Sequence, residues 1–534
     1  MTLFNGKIDE RITEFVPCAK VVPTGNAADC SFFVGRMWLQ PREILTENDF
    51  RNFPANSRIV LDFGREFSGG IRIVTGKRGG KIRLRFGESV SEATGEPNQS
   101  HAIHDTVLDL PVLGILEYGN TGFRFICIDA LEDLQLVNIL AVARYRDIEK
   151  SGSFISNDVL LNRIFDTCVH TVHMCMQDYL FDGIKRDRLA WMGDMNPEIN
   201  VINMIFSDTS IVPETMDFLR DRTPLPSMMN DISSYSLWWM ICQWEYYLHQ
   251  GDLNYLMQQY SYLKKLTDIF IAYIGENGCE KLPELRFIDW PTREDAAAVH
   301  AGLQAILTMA FDAAAKIAAA LHDEDLFKKC SQAHAVLKKF PAPSTPRKSP
   351  NALLVMANLA DADTVNRNIL SVNSEFDVST FMSYYILNAR CMANDTAGAL
   401  DLIRKYYGAM LNFGATTFWE DFDFEWTKNS FGIDSLPVAG KKDIHADFGK
   451  FCYKGLRHSL CHGWAAGPAA IIPRALTGFK ILEPGCRKIS LSPILCGLEH
   501  YKCTIPTPHG IIEVENSKDA KSPEIKIPEN ITLN

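Results

Sequence analysis

Positions 182–194 read Asp-Gly-Ile-Lys-Arg-Asp-Arg-Leu-Ala-Trp-Met-Gly-Asp, which brings three carboxylates, two arginines and an indole into thirteen residues. In a helical segment Asp187 and Asp194 share a face, because seven residues is close to two turns. Trp191, four residues from Asp187, lies on that face too. The combination suits sugar chemistry: a carboxyl group moves protons, an indole lies against the C–H face of a pyranose, and charged groups hold hydroxyls. The bland reading is a solvated surface with ion pairs, and the cluster alone does not exclude it. A carboxylic acid catalyst also has to keep its proton near neutral pH, which asks for burial or neighbouring carboxylates. Asp182 and Asp194 are the neighbours expected for Asp187. Arg186 or Arg188 pointing at it would oppose that.

A second carboxylate candidate is Glu420, in the run Gly414-Ala-Thr-Thr-Phe-Trp-Glu-Asp-Phe-Asp423. A two-carboxylate hydrolase needs an acid on one side of the scissile bond and a base or nucleophile on the other. Asp187 and Glu420 are far apart in sequence, a separation that a closed ring of helices tolerates. Eight of the nine tryptophans, at 191, 238, 239, 244, 290, 419, 426 and 464, fall in the part of the chain with helical patterning. Singly, each reads as packing. Several adjoin acids, however: Asp289-Trp290, Trp419-Glu420 and Glu425-Trp426.

Those side chains need elements to hold them, and 534 residues can bury several cores. Residues 1 to about 150 read as β. Arg58–Gly64 and Ile71–Thr75 are β-branched runs, Lys81–Phe86 alternates polar and apolar, and the Gly69-Gly70 and Gly79-Gly80 pairs supply turns. Short strands without intervening helices suggest a sandwich. Helical spacing takes over near 151 with Val159–Met174, whose start Asn157 or Asp158 can cap. It continues through 235–249, 253–273, 296–321, 323–340, 378–393 and 397–407, to about 475. A toroid of six helical hairpins, (α/α)6, fits the room for about twelve helices, although a solenoid fits it as well. From Gly478 short strands return, Pro506 and Pro508 punctuate them, and the tail after Glu515 is expected to fray. The reading is an α+β multidomain chain: an N-terminal β-sandwich at 1–150, an (α/α)6 barrel at 151–475 and a small C-terminal β-sandwich at 476–534.

Hydrophobic content of 46% and charged content of 22% are those of an ordinary globular protein. A net charge of −11 argues against nucleic acid or an anionic membrane as partner, and no stretch stands out as a membrane span. The opening residues carry Asp9 and Glu10 and lack the apolar core of a signal peptide. The expected compartment is the cytoplasm, or the periplasm or exterior if a signal has been removed. Fourteen cysteines are scattered without a CxxC pair, and most read as reduced and buried. The densest group, Cys452, His458, Cys461 and His462, lacks paired-ligand spacing, so neither metal nor cofactor is expected.

Three motifs in order, Asp182–Asp194, Gly414–Glu420 and Ser459-Leu-Cys-His-Gly-Trp464, resemble those of glycoside hydrolase family 78, the α-L-rhamnosidases. The strand segments up to Glu88 resemble the β-sandwich that precedes that family's barrel, and Ile505–Val514 resembles its closing sandwich. The resemblance implies an inverting exo-glycosidase with its acid at Asp187 and its base at Glu420. It also implies sugar contacts from Asp182, Arg186, Trp191, Asp194 and His462, with aromatic walls from Trp238 or Trp239 and from Trp290. Asp289 and Trp419, each adjoining one of these groups, join the set of candidate sugar-binding residues. The partner is then a terminal rhamnoside or related deoxysugar on a small or partly degraded glycan. Two departures stand out: the family usually has Glu at the acid position, and often Cys-Pro where this chain has Gly183-Ile184. Competing readings are an (α/α)6 enzyme of other specificity, such as a polysaccharide lyase using Arg186, Arg188, Tyr235 and His462, and a catalytically silent sugar-binding protein.

Overall fold

The computed structural model describes residues 3–4, 7–24, 30–37, 47–96, 104–341, 343 and 345–534. The chain has α+β composition and divides into two units, each assembled from non-consecutive segments. The first comprises Met1–Asp147, His173–Arg188 and Ala409–His462, and the second Ile148–Val172, Leu189–Gly408 and Gly463–Asn534.

The first unit is built on an eight-stranded antiparallel sheet. Its main path runs Arg11–Pro17, Leu134–Arg146, Arg58–Thr75, Ile115–Ala130, Gly80–Gly87, His104–Leu110. Alternation along the strands sends Ile59, Leu61 and Phe63 into one apolar cluster with Ile82, Leu84, Phe86 and Phe123. Val60, Phe125 and Cys127 point to the opposite face, where Val90 and Ala93 of the short helix Val90–Thr94 cover them. Gly69-Gly70 does not form the expected turn. It lies inside one continuous strand, Arg58–Thr75. A Cβ on Gly69 would stand 1.9 Å from the Val142 carbonyl oxygen, and one on Gly70 2.4 Å from that of Tyr118. The pair is there for close approach of both neighbouring strands.

The expected helices form, with boundaries shifted by a few residues: Val159–Cys175, Ser233–Gln250, Leu253–Ile271, Ala296–Ala320, Glu324–Leu337, Thr380–Met392 and Thr396–Asn412, all but the ends of the first and last in the second unit. Capping explains the starts. The Asp158, Asp252, Asp295 and Asp323 carboxylates and the Ser379 hydroxyl each accept from a first-turn backbone N–H. Ala296–Ala320 is long and apolar enough to span a membrane, contrary to the reading from sequence, yet 72% of its apolar window is buried. It packs against Ser233–Gln250, Glu324–Leu337 and Lys348–Met356. In the same unit Ser153–Ser156 joins His500–Thr507, Gly510–Ser517 and Glu524–Lys526 in a four-stranded antiparallel sheet. Pro506 therefore sits within a strand, opposite Ile511. The tail is also paired rather than frayed, with Thr532–Leu533 alongside Lys488–Ser490.

Candidate active site

The 182–194 segment is not helical. Helix begins only at Met195, and the shared face expected for Asp187, Trp191 and Asp194 does not exist. Tertiary contacts override the local pattern here. Gly183 forms an antiparallel bridge with His462, and a Cβ on Gly183 would press on the Cys461 carbonyl oxygen at 2.9 Å. Gly122 of the sheet lets the backbone of Ile184 and Lys185 lie against the strand Ile115–Ala130. The segment then turns sharply, with Asp187 at φ 55° and Arg188 at φ 54°. Consecutive left-handed non-glycine residues are uncommon, and Asp is among the residues that tolerate the conformation best. Arg188 is held by donating to the backbone and side-chain oxygens of Asn120.

Both carboxylate candidates lie in this unit and meet at one cation. The Arg186 guanidinium pairs with Glu420 Oε1 through Nη2, and its Nη1 lies 3.6 Å from Asp187 Oδ1. Glu420 is buried, with 4% of its side chain exposed, whereas Asp187 keeps 35%. The Asp187 carboxylate thus lies beside an arginine. Glu420 is fixed from a second side by Ser459. The Ser459 N–H donates to Glu420 Oε2 at 3.1 Å, and the Glu420 N–H donates to the Ser459 carbonyl at 2.9 Å. The His462 N–H donates to the Phe418 carbonyl, and the Asp421 N–H to His458 Nε2 at 2.8 Å, which requires His458 to accept at that nitrogen. Asp182 is buried in the same unit.

Reading from sequence missed what lies beneath these groups. Lys185 is buried, and its ammonium donates to the Leu456 and His458 carbonyls at 2.9 and 2.7 Å. It also pairs with Glu88 at 2.8 Å and Glu92 at 3.2 Å. Burial opposes its charge, but the two carboxylates more than compensate and hold its pKa above the ordinary lysine value. Glu66, fully enclosed and beside Glu88, is pushed well above the carboxylate range by burial first and by Glu88 second. Glu88, Glu92 and His445 bring donor atoms within 4.8 Å of one another, a spacing that could grip a metal ion. The chain supplies its own cation there, however, and both His445 nitrogens are engaged, with Ser89 Oγ at 2.8 Å and the His458 carbonyl at 2.9 Å. The donor set does not fit a metal. The signal in the sequence was a lysine inside an otherwise acidic and arginine-rich motif. Its partners, more than ninety residues upstream, left none.

The remaining candidates, Trp419 apart, belong to the second unit. Asp194 is buried and accepts from the Tyr235 hydroxyl at 3.3 Å. Trp191, Tyr235, Phe287 and Trp290 form a run of edge-to-face rings with centroids 6.1, 6.2 and 5.2 Å apart in turn. Arg293 lies over the Trp290 ring at 5.1 Å. Asp289 is buried and accepts from the Thr292 N–H at 3.1 Å and from the Ser349 and Ser379 hydroxyls, each at 3.3 Å. Burial raises its pKa. Trp239 is a correction. It has no exposed surface, its Nε1 donates to the Met216 carbonyl, and Tyr262 packs on it edge-on. Trp238 is also buried, tilted against Tyr385. Both are packed within the second unit. In the first unit Trp419 is enclosed too, against Phe422 and His458.

His462 is buried, and desolvation lowers its pKa to about 4, with Arg186 acting in the same direction and Glu420 against it. The folded state therefore refuses a proton that the unfolded chain accepts near 6.5. Stability tied to this group is complete above the unfolded value and is lost as pH falls toward about 4. The H462N variant should lose less stability than the wild type between pH 7.5 and pH 5, by roughly 2 kcal/mol. Parallel chemical denaturation at the two pH values checks this. Equal losses would show that His462 does not carry the effect.

Residues 149–344 match the family model for the bacterial α-L-rhamnosidase six-hairpin glycosidase domain. Among solved structures, a family 78 rhamnosidase of Bacillus sp. GL1 superposes on 89% of this chain with a TM-score of 0.73 at 21% identity. The α-L-rhamnosidase of Dictyoglumus thermophilum does so on 97% with 0.69 at 18%, and the Klebsiella oxytoca rhamnosidase with rhamnose bound on 87% with 0.68 at 20%. The chain spans 52% and 58% of the Bacillus and Dictyoglumus proteins, and 96% of the Klebsiella protein. No curated protein sequence matches the chain.

Proposed function

We propose, from the match of residues 149–344 to the family model for the bacterial α-L-rhamnosidase six-hairpin glycosidase domain, that the protein is an inverting exo-glycosidase that hydrolyses a terminal α-L-rhamnoside or a related deoxysugar glycoside. On this reading the helices of the second unit form an (α/α)6 toroid, and the sheets at either end of the chain belong to sandwiches. Glu420 takes the proton of the attacking water, and Asp187 protonates the leaving oxygen. The observation that carries the proposal is the meeting of these two carboxylates, 233 positions apart in sequence, at the Arg186 guanidinium. Asp182, Arg186 and His462, all in the first unit with the two carboxylates, supply polar contacts to the sugar.

A second reading, a sugar-binding protein without turnover, draws on Asp187 itself. It is one methylene shorter than glutamate, substantially exposed and beside Arg186. One set of measurements separates the two. Release of chromophore from an aryl α-L-rhamnoside, against a panel of other aryl glycosides, should be selective for the rhamnoside. The first-formed free sugar, followed by NMR before mutarotation, should have the β configuration. Initial α-rhamnose would rule out inversion. Tight binding of rhamnose with no release from any member of the panel would favour the silent binder.

A further inference from the structure

Glu88 lies outside the three motifs that define the candidate site, at the turn between the strand Gly80–Gly87 and the helix Val90–Thr94. It is completely buried. Its Oε2 pairs with Lys185 Nζ at 2.8 Å and accepts from the Leu460 N–H at 2.7 Å, and its Oε1 accepts from the Ser459 hydroxyl at 3.1 Å. Two of these contacts lead on to Glu420. Ser459 gives its N–H to Glu420 Oε2, and Lys185 is the chain neighbour of Arg186, which pairs with Glu420 Oε1. One carboxylate therefore holds both of the segments that hold Glu420.

Such an arrangement is a poor way to gain stability. Placing an ion pair in a closed interior costs in desolvation about what it returns in attraction, and well-packed apolar side chains do as well or better. Here a second glutamate, Glu92, and a third, Glu66, share the same interior with a single ammonium. What the cluster provides is geometry. Every oxygen of Glu88 has a fixed donor, and each donor lies on a backbone segment that must not drift. Because the pair is enclosed, solvent cannot substitute for a lost partner. Resting on the reading of Glu420 as base, we propose that Glu88, through Lys185 and Ser459, is the positioning residue for Glu420. It fixes the carboxylate against the attacking water from outside the sugar pocket and touches no substrate.

The test uses the full chain and the E88Q variant, which keeps the shape and loses the charge. Glutamine cannot neutralise Lys185 and accept from both Ser459 and Leu460, so both segments should shift. A displacement of about 1 Å at a reacting group costs on the order of 100-fold, and kcat on an aryl α-L-rhamnoside should fall about 10- to 100-fold with KM little changed. The acid limb of the kcat/KM profile should move, because Ser459 and Arg186 no longer hold Glu420. E88Q added to E420Q should cost almost nothing further, since the residues act as one unit. S459A, which removes one hydroxyl and leaves the N–H, is the fallback if E88Q does not fold, and should show a smaller version of the same changes. A crystal structure of the folded variant supplies a readout that needs no substrate: the Ser459 N–H to Glu420 Oε2 bond, 3.1 Å here, should open beyond hydrogen-bonding distance.

An unmoved Glu420 in that structure overturns the proposal. So do an unchanged pH profile, or losses that multiply in the double variant. If the wild type hydrolyses no rhamnoside yet Glu420 shifts in E88Q, the positioning role stands and the glycosidase reading fails.

Discussion

Replacing Glu420 by glutamine is expected to lower kcat on aryl α-L-rhamnosides by about 1,000- to 10,000-fold, near the top of what one general base contributes. The variant keeps the side-chain length and an oxygen that can accept from the Ser459 N–H, the bond that orients the group. What it loses is the ability to take a proton from water. L-Rhamnose binding, measured calorimetrically, should survive within several-fold, because a bound monosaccharide asks nothing of the base. The variant also strips Arg186 of its buried partner, so folding has to be checked by a melt before the kinetics are read. Added azide supplies a nucleophile that needs no deprotonation. It should restore turnover of activated substrates and yield a rhamnosyl azide of inverted configuration. A folded E420Q enzyme with near-normal kcat would remove Glu420 from the mechanism.

The D187N variant should divide substrates by leaving group. Activated nitrophenoxide needs little protonation to depart, so kcat/KM on such substrates should fall only about 10-fold. On alkyl or sugar leaving groups the fall should approach 1,000-fold. A uniform loss across leaving groups would assign Asp187 to binding instead. The backbone favours this experiment: Asn accepts the left-handed conformation that position 187 adopts at least as well as Asp does. The complementary change, D187E, restores the residue that the related family usually carries but places a longer side chain on backbone to which it is less suited. A gain in rhamnosidase activity from D187E would therefore be the stronger result. It would mark this chain as a member whose acid has shortened.

Periodicity carried the sequence reading wherever burial follows from local pattern. Val159–Cys175 and Leu253–Ile271 are helices because their apolar residues recur at helical spacing behind an aspartate cap. Gly80–Gly87 is a strand because its residues alternate. The failures share a cause in contacts distant in sequence. A shared face for Asp187, Trp191 and Asp194 required helix at 182–194, but the burial of Lys185 among Glu88, Glu92 and two carbonyls pulls the segment onto the sheet. Gly69-Gly70 looked like a turn because the dipeptide usually is one. Its role in admitting two neighbouring strands depends on Val142 and Tyr118. Trp238 or Trp239 as an aromatic wall is implied by the family resemblance, whereas residue type alone reads each tryptophan as packing; both are buried in the structure. Of the candidate site, the sequence pointed to the segments that carry Asp187 and Glu420, which the fold brings together at Arg186. The lysine–glutamate support beneath them was not legible, because a buried ion pair leaves no periodic trace.

The first unit closes only when Ala409–His462 joins Met1–Asp147 and His173–Arg188. Translation makes the sheet first and the last of these pieces more than three hundred residues later. At ordinary elongation rates the ribosome takes on the order of tens of seconds to cover that interval. Once Lys185 has followed the sheet, it and Glu88 can meet, but Ser459, Leu460 and the carbonyls of Leu456 and His458 have not yet been made. The nascent chain must carry the ion pair without its hydrogen-bond partners until the 456–460 segment emerges. Any truncation before that segment leaves the pair permanently without them, so a shortened chain should be a client of chaperones and proteases rather than a weaker enzyme.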